Sequence, residues 1–293
     1  MLRVCRPSLH LLGHTKVLTA CHGQSAFARH FASTAGLPET AAVLHNLGNG
    51  AEIHLVGTAH VSKASSEEVR DIIHAVQPQT VFVELDAQRA QQLRGGMEDQ
   101  NNLKEFFKNI VSGYGLNIPT ELLKQGLRGF YKAMKSMGMD PGLEFKVALE
   151  EAEKLNARIV YGDQEQGITV QNLASALSFK DVLKLMTGQG MQLDSEITEA
   201  LELSDKSGVS ASVEALKTKK AAEAMTAALR QFNPKLAKAL IDDRDEFMVR
   251  SLRKLEGKVV GVVGLGHLAG MQKRWEQLEK QQQRLRTSMP ISG

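Results

Sequence analysis

The chain has 293 residues, of which 42% are apolar and 24% charged, with a formal net charge of +3 at neutral pH. This is a globular composition that can bury a large core, in one elaborated domain or two small ones, and it excludes a disordered or fibrous chain. The charge is uneven: nothing acidic precedes Glu39, while Arg3, Arg6, Lys16 and Arg29 are basic, and removing these four from 36 Lys and Arg leaves 32 against 33 Asp and Glu, a net of about −1.

Residues 1–31, also rich in Ser, Thr and His, therefore read as a mitochondrial transit peptide, a disordered arm being the plainer alternative. Arg29-His30-Phe31-Ala32-Ser33 resembles a matrix-peptidase site with the cut after Phe31, which favours the matrix, outer-membrane association being the alternative. The remainder has no basic patch with interleaved aromatics, so nucleic acid is not an expected partner. Both cysteines, Cys5 and Cys21, fall in the leader, so a mature chain would offer no disulfide, thiolate nucleophile or cysteine-bound metal. The longest apolar stretch, Val259 to Met271, is too short to cross a bilayer, and no transmembrane segment is expected.

A single domain over 43–280 is expected, followed by a solvated tail over 281–293. Residues 43–90 read as one β-α-β unit. Glu52 to Val56 is a strand; Ser65 and Glu68 have capping-box spacing; Val69, Ile72, Ile73 and Val76 recur at helical intervals; and Pro78 ends that helix. Thr80 to Leu85 is a buried strand by its β-branched and aromatic content, and a right-handed crossover lays it parallel to the first. From about 90 to 156 glycines break a polar helical pattern, which reads as an inserted layer. A firmer helix follows Asp140-Pro141, with Asp140 as cap, carrying Val147, Ala148, Ala152 and Leu155 on one face. Arg158 to Tyr161 is a third strand, ending at Gly162-Asp163.

Residues 170–256 are again mostly helical, with a polar stretch near 204–220 expected as an exposed loop. Apolar residues at 240, 241, 247, 248, 252 and 255 make Leu236 to Leu255 one amphipathic helix, which Arg244 and Arg250 interrupt or flank. Lys258 to Val263 is a continuous apolar strand suited to a sheet covered on both faces. Leu268, Met271, Trp275 and Leu278 then mark a last amphipathic helix.

Two of these strands run into matching tetrapeptides, Gly57-Thr58-Ala59-His60 and Gly264-Leu265-Gly266-His267. Ligands collect where strands of open α/β sheets end, glycine lets backbone pass closely there, and neutral imidazole suits zinc, manganese or iron. A lone histidine at a strand end is more often a hydrogen-bonded structural residue, and it is the repeat that points to a site. Glu84 adds weight, because a carboxylate in an apolar strand must find a cation, a donor or a metal. Arg89, five residues on, is its plainer partner. Gly264-x-Gly266-x-x-Ala269 fits a dinucleotide fingerprint superficially but lacks the strand and acidic residue that should follow. There is no phosphate-binding loop, no Gly-x-Ser-x-Gly elbow and no His-Glu-x-x-His.

Five blocks carry a family resemblance: Gly57-Thr58-Ala59-His60-Val61-Ser62; Val83-Glu84-Leu85-Asp86 with Arg89; Gly142-Leu143-Glu144-Phe145; Asp242-Asp243-Arg244-Asp245 with Met248; and Val262 to Gly270. In order and spacing they resemble the TraB/PrgY/GumN/Tiki family, closest to its eukaryotic TraB-domain proteins. The resemblance implies an erythromycin-esterase/ChaN-like α/β fold, a central mostly parallel sheet flanked by helices with helical insertions. It implies a metal-dependent peptidase, as in the Tiki branch, acting on a peptide or protein substrate with a divalent ion such as zinc, manganese or cobalt. His60 and His267 would be metal ligands, Glu84 a ligand or general base, and Glu144 a further catalytic candidate. Arg89 and Arg244 would bind a substrate carboxylate or orient Glu84. The chain departs from the pattern at Gln164 and Asn172, where the family has arginines. A non-catalytic binding or adaptor protein, with a role in organelle contact as in plant relatives or in regulation, is the alternative; haem or iron handling is a third.

Overall fold

The computed structural model describes residues 38–58, 63–95, 142–178, 180, 181, 184 and 218–288. The leader, His60, Asp140 and Pro141, the polar stretch up to residue 217 and most of the inserted layer over 90–156 lie outside the described residues.

The described residues form a five-stranded sheet in the order β1-β2-β5-β3-β4. Its strands are β1 (Ala41–His45), β2 (Glu52–Thr58), β3 (Thr80–Val83), β4 (Arg158–Tyr161) and β5 (Lys258–Gly264). β1 pairs antiparallel with β2, and every other neighbouring pair is parallel. The mostly parallel sheet is as expected, and the four runs read as strands all lie in it. β1 is the addition, an edge strand in which only Ala42 and Leu44 are buried. Thr58 is in register with Gly264, and Val83 with both Val262 and Tyr161, so four parallel strands finish along one edge.

Alternation along the strands sends side chains into two cores, one on each face of the sheet. Val56, Val81, Val83, Val260 and Val262 meet α1 (Lys63–Val76) and, further along the chain, α3 (Leu143–Lys154), through Ile72, Ile73, Phe145 and Ala148. Ile53, Leu55, Phe82, Val259 and Val263 meet α7 (Asp243–Leu252) and α8 (Leu265–Ser288), through Met248, Leu252, Leu268, Met271 and Trp275. Gly162 is required by this second core, since a Cβ there would lie 1.8 Å from the Phe82 ring.

Helix ends differ from expectation in three places. α1 begins at Lys63, ahead of the anticipated capping box; Ser65 is buried inside the helix, and Glu68 accepts a hydrogen bond from Thr40 Oγ1 at 2.7 Å. α3 starts behind Gly142, so Asp140 is not its cap. The helix read over 236–255 is divided into α6 (Pro234–Ala237), a π-helical turn (Lys238–Asp242) and α7. Asn233 caps α6, its Oδ1 accepting from the amides of Lys235 and Leu236. Three further helices, α2 (Ala87–Arg94), α4 (Gln166–Ala176) and α5 (Lys219–Phe232), complete the described elements. α8 continues to Ser288, through much of the stretch read as a tail, and its residues after 280 are largely exposed. No helix among the described residues is long and apolar enough to cross a membrane.

Candidate functional site

Charged side chains gather where the parallel strands end. Glu84 directly follows β3, and its own amide continues the ladder to Val262 O at 3.0 Å. Its Oε2 accepts from the Gly264 amide at the end of β5, at 2.6 Å. Asp163 follows β4 beyond Gly162 and is held beside β3, its amide donating to Leu85 O at 3.3 Å. His267 sits in the first turn of α8, and Arg244 and Asp245 in the first turn of α7, just after the π-helical turn.

Arg244 is the hub of this cluster and is 1% exposed. Its Nε and Nη2 donate to the two oxygens of Asp163 at 3.0 and 2.7 Å, Nη2 also contacts Glu84 Oε1, and Nη1 donates to Leu240 O at 3.4 Å. Leu240 lies within the π-helical turn, and such turns are frequent at functional sites. Arg89, 3% exposed, donates from Nη1 to Asp163 Oδ2 at 3.2 Å. Its amide is the first-turn donor to Asp86 Oδ1 at 2.7 Å, while the Gln166 amide takes Asp86 Oδ2 at 2.8 Å, so one aspartate ties α2 to the start of α4.

His267 lies between two carboxylates, Nδ1 at 2.7 Å from Asp245 Oδ1 and Nε2 at 3.2 Å from Glu84 Oε1. Both ring nitrogens face acceptors, which calls for the imidazolium. Burial favours the neutral ring and Arg244 repels the charge, but Glu84 and Asp245 outweigh them and the His267 pKa is pushed up to about 9. Burial likewise pushes the Asp245 carboxyl up against the pull of His267 and Arg274. Arg244 is held firmly charged: burial opposes its charge, and Asp163 and Glu84 overcome it. The buried carboxylates Glu84, Asp163 and Asp245 thus each face a cationic partner among Arg89, Arg244 and His267.

A chain of ion pairs leads outward from it. Arg274 donates to Asp245 Oδ2 and to Asp242 Oδ1, both at 3.0 Å, and Arg230 grips both oxygens of Asp242 at 2.7 Å. The hydrogen bonds from Arg230, against partial burial, hold the Asp242 carboxyl below its usual range. A groove of about 240 Å³ between α5, the π-helical turn and α8 opens here, with Lys219, Arg230, Ile241, Gly266 and Asp245 among its walls.

The expected residues Glu84, His267, Arg244 and Arg89 thus stand in one network. Glu144 is fully buried in the first turn of α3, in the layer on the other face of the sheet from α7 and α8. His60 is outside the described residues; in the chain it stands two positions after Thr58, the register partner of Gly264. Gly57 does permit close approach, because a Cβ there would fall 3.2 Å from the backbone of Leu265. Gln164, where an arginine was expected, is buried and donates to Thr169 Oγ1 at 2.7 Å. Sequence reasoning missed Asp163 and Asp245 as members of the site. Their signals were the place of Asp163 just past a strand and that of Asp245 beside Arg244 in one of the five family blocks.

Among the described residues no group of three or more His, Cys, Asp or Glu forms a ready metal site. Two donors nevertheless suit one. The 3.2 Å between His267 Nε2 and Glu84 Oε1 is close to the separation of neighbouring ligands in a tetrahedral shell, about 3.4 Å for bonds of about 2.1 Å. A carboxylate on the far nitrogen, as Asp245 is, commonly orients a ligating histidine.

Comparison with known proteins gives consistent relatives. The model of the TraB/PrgY/gumN family matches residues 43–286. An uncharacterized protein of Methanocaldococcus jannaschii is 33% identical over 237 residues, covering 79% of this chain and 55% of that protein. TraB domain-containing proteins of Mus musculus and Homo sapiens are each 28% identical over 252 residues, covering 78% of this chain and 63% of theirs. The chain therefore spans 55% to 63% of the length of these curated relatives.

Proposed function

The chain belongs to the TraB/PrgY/gumN family, and from that membership and the geometry at the strand ends we propose that it is a metal-dependent hydrolase of the TraB/Tiki type, acting as a peptidase on an erythromycin-esterase/ChaN-like scaffold. The observation that carries the reading is His267, its Nδ1 fixed by Asp245 and its Nε2 set 3.2 Å from Glu84 at the edge where the parallel strands finish.

In this reading His267, which would give up its Nε2 proton on binding, and His60 would hold a zinc, manganese or cobalt ion. Such an ion supplies a Lewis acid that brings the pKa of water near 7 and polarises a scissile carbonyl. Glu84 is held for its task by the Gly264 amide on Oε2 and Arg244 on Oε1, and Oε1, which also faces His267, would either ligate or receive a proton. Glu144 is the other candidate for the proton. Arg244 and Arg89 grip Asp163 and, through Arg244, orient Glu84, so of the two roles expected of these arginines the geometry favours orientation over contact with a substrate carboxylate. Residues 1–31 direct the chain to the mitochondrial matrix, which a fluorescent fusion of residues 1–40 tests.

Gln164, spent on Thr169 where the family has an arginine, favours a second reading, a non-catalytic TraB-domain binding protein. Metal content of the full chain separates the two. About one transition metal per chain, lost in His60→Ala/His267→Ala, is the expected result; protein that stays metal-free after incubation with zinc, manganese and cobalt would leave the binding protein.

A further inference from the structure

We infer that Asp245 is the positioning residue of this site and that Gly270 is the notch in α8 that lets it act, an inference that rests on the metal-site reading above. Asp245 is fully buried, and its two oxygens are divided between His267 Nδ1 at 2.7 Å and Arg274 Nη1 at 3.0 Å. Arg274 is itself tied to Asp242, and Asp242 to Arg230, so the carboxylate is braced from behind as well as in front. A ring that donates Nδ1–H to a fixed acceptor cannot turn about its χ2 angle, and this leaves Nε2 aimed at Glu84. One carboxylate thereby sets both which nitrogen faces the strand edge and the direction in which it points.

Gly270 stands one turn after His267 on the same face of α8. A Cβ at that position would lie 2.0 Å from Asp245 Oδ2 and 3.0 Å from its Cγ, so any other residue forces the carboxylate to shift from its place. Glycine in a helix interior is unfavourable in itself, and here its use is to admit Asp245. Gly266, one turn earlier in the same helix, would meet nothing within 4 Å if it gained a Cβ. The helix therefore contains its own control, one glycine that shapes the site and one that does not.

The full chain, labelled with ¹⁵N-histidine, tests this without recourse to activity. In metal-free protein a low-field Nδ1–H resonance, assigned by its absence from His267→Gln, is expected in the wild type and in Gly266→Ala. It should vanish in Asp245→Ala and Gly270→Ala, and should survive, shifted upfield, in Asp245→Asn, whose amide oxygen still accepts. Cobalt(II) titration should show affinity lower by about 10- to 100-fold in Asp245→Ala and Gly270→Ala, within about twofold of wild type in Gly266→Ala, and intermediate in Asp245→Asn. If Asp245→Ala does not fold, Asp245→Asn and Gly270→Ala carry the test. Persistence of the resonance in Gly270→Ala, or equal cobalt affinity throughout, would overturn the inference and leave the metal site standing. Loss of the resonance as expected, in a wild-type chain that takes up no cobalt, would instead remove the metal site and keep Asp245 as the residue that orients His267.

Discussion

Arg244 reaches two carboxylates and a backbone carbonyl from a position 1% exposed. Without it, Glu84 and Asp163 would face each other in the interior short of a cation, and such uncompensated charge costs far more than the pair itself contributes. Arg244→Ala should therefore destabilise the chain by about 3–5 kcal/mol in urea unfolding. Arg244→Lys should recover only part of this, because an ammonium cannot present the planar fork that meets Asp163 with two nitrogens. Arg250→Ala, six positions on, removes an exposed pair with Glu246 and should stay within about 0.5 kcal/mol of wild type. Equal effects at the two arginines would mean that the cluster is wet. Glu84 was legible in the sequence because a carboxylate is out of place in an apolar run. Asp163 and Asp245 were not, since an aspartate past a strand or at a helix start is an ordinary turn or cap residue. Gly270 could not be read at all, its crowding arising only when α7 lies against α8.

At the scale of elements, apolar runs announced β2, β3, β4 and β5, whereas β1 offers two buried side chains on a short alanine-containing segment and borrows its stability from β2. The helix over 236–255 was read with one phase, but the π-helical turn resets the phase midway. This turns Phe247 outward, 43% exposed, and carries Arg244 and Asp245 inward. A local wide turn leaves no mark in hydrophobic periodicity. Between α1 and α3 the key tie is Glu151, 1% exposed, which accepts from Arg70 Nε at 3.1 Å, His74 Nε2 at 2.9 Å and Lys154 Nζ at 2.9 Å. Burial pushes its carboxyl up, but hydrogen bonds from Lys154, His74 and Arg70 together hold it below its ordinary value of 4.5. A carboxyl depressed in the folded state stabilises above its unfolded pKa and ceases to as the pH falls through the folded value. Glu151→Gln should thus cost about 1–2 kcal/mol at pH 6, discounted for the exposure of its partners. The gap from wild type should then close as unfolding is measured below pH 4.5. A gap unchanged down to pH 3 would show that the carboxylate is not what ties the two helices.

For the whole molecule the governing fact is that β5, nearly last in the chain, lies in the middle of the sheet. β2 and β3 are each paired to it, so without β5 the sheet falls into two separate ladders, β1 with β2 and β3 with β4. Neither ladder keeps a full covering, because α8, which follows β5, supplies Leu268, Met271 and Trp275 to one core. The site depends on the same closure, since Glu84 needs the Gly264 amide and Asp245 needs His267. A fold whose central pairing joins distant segments forms late and as a unit. A chain ended after Glu256 should therefore show no dispersed amide spectrum and no cooperative unfolding, while one ended after Gln283, whose next four residues are exposed, should melt close to the full chain. Trp275, the single tryptophan, donates from Nε1 to His45 O at 3.1 Å and so reports α8 docking on the first strand. Its fluorescence and the far-ultraviolet circular dichroism of the full chain should trace one coincident transition. A folded chain ending after Glu256, or a tryptophan signal that departs before the helical one, would mean that the amino-terminal strands hold together on their own and that the last strand completes the site without building the sheet.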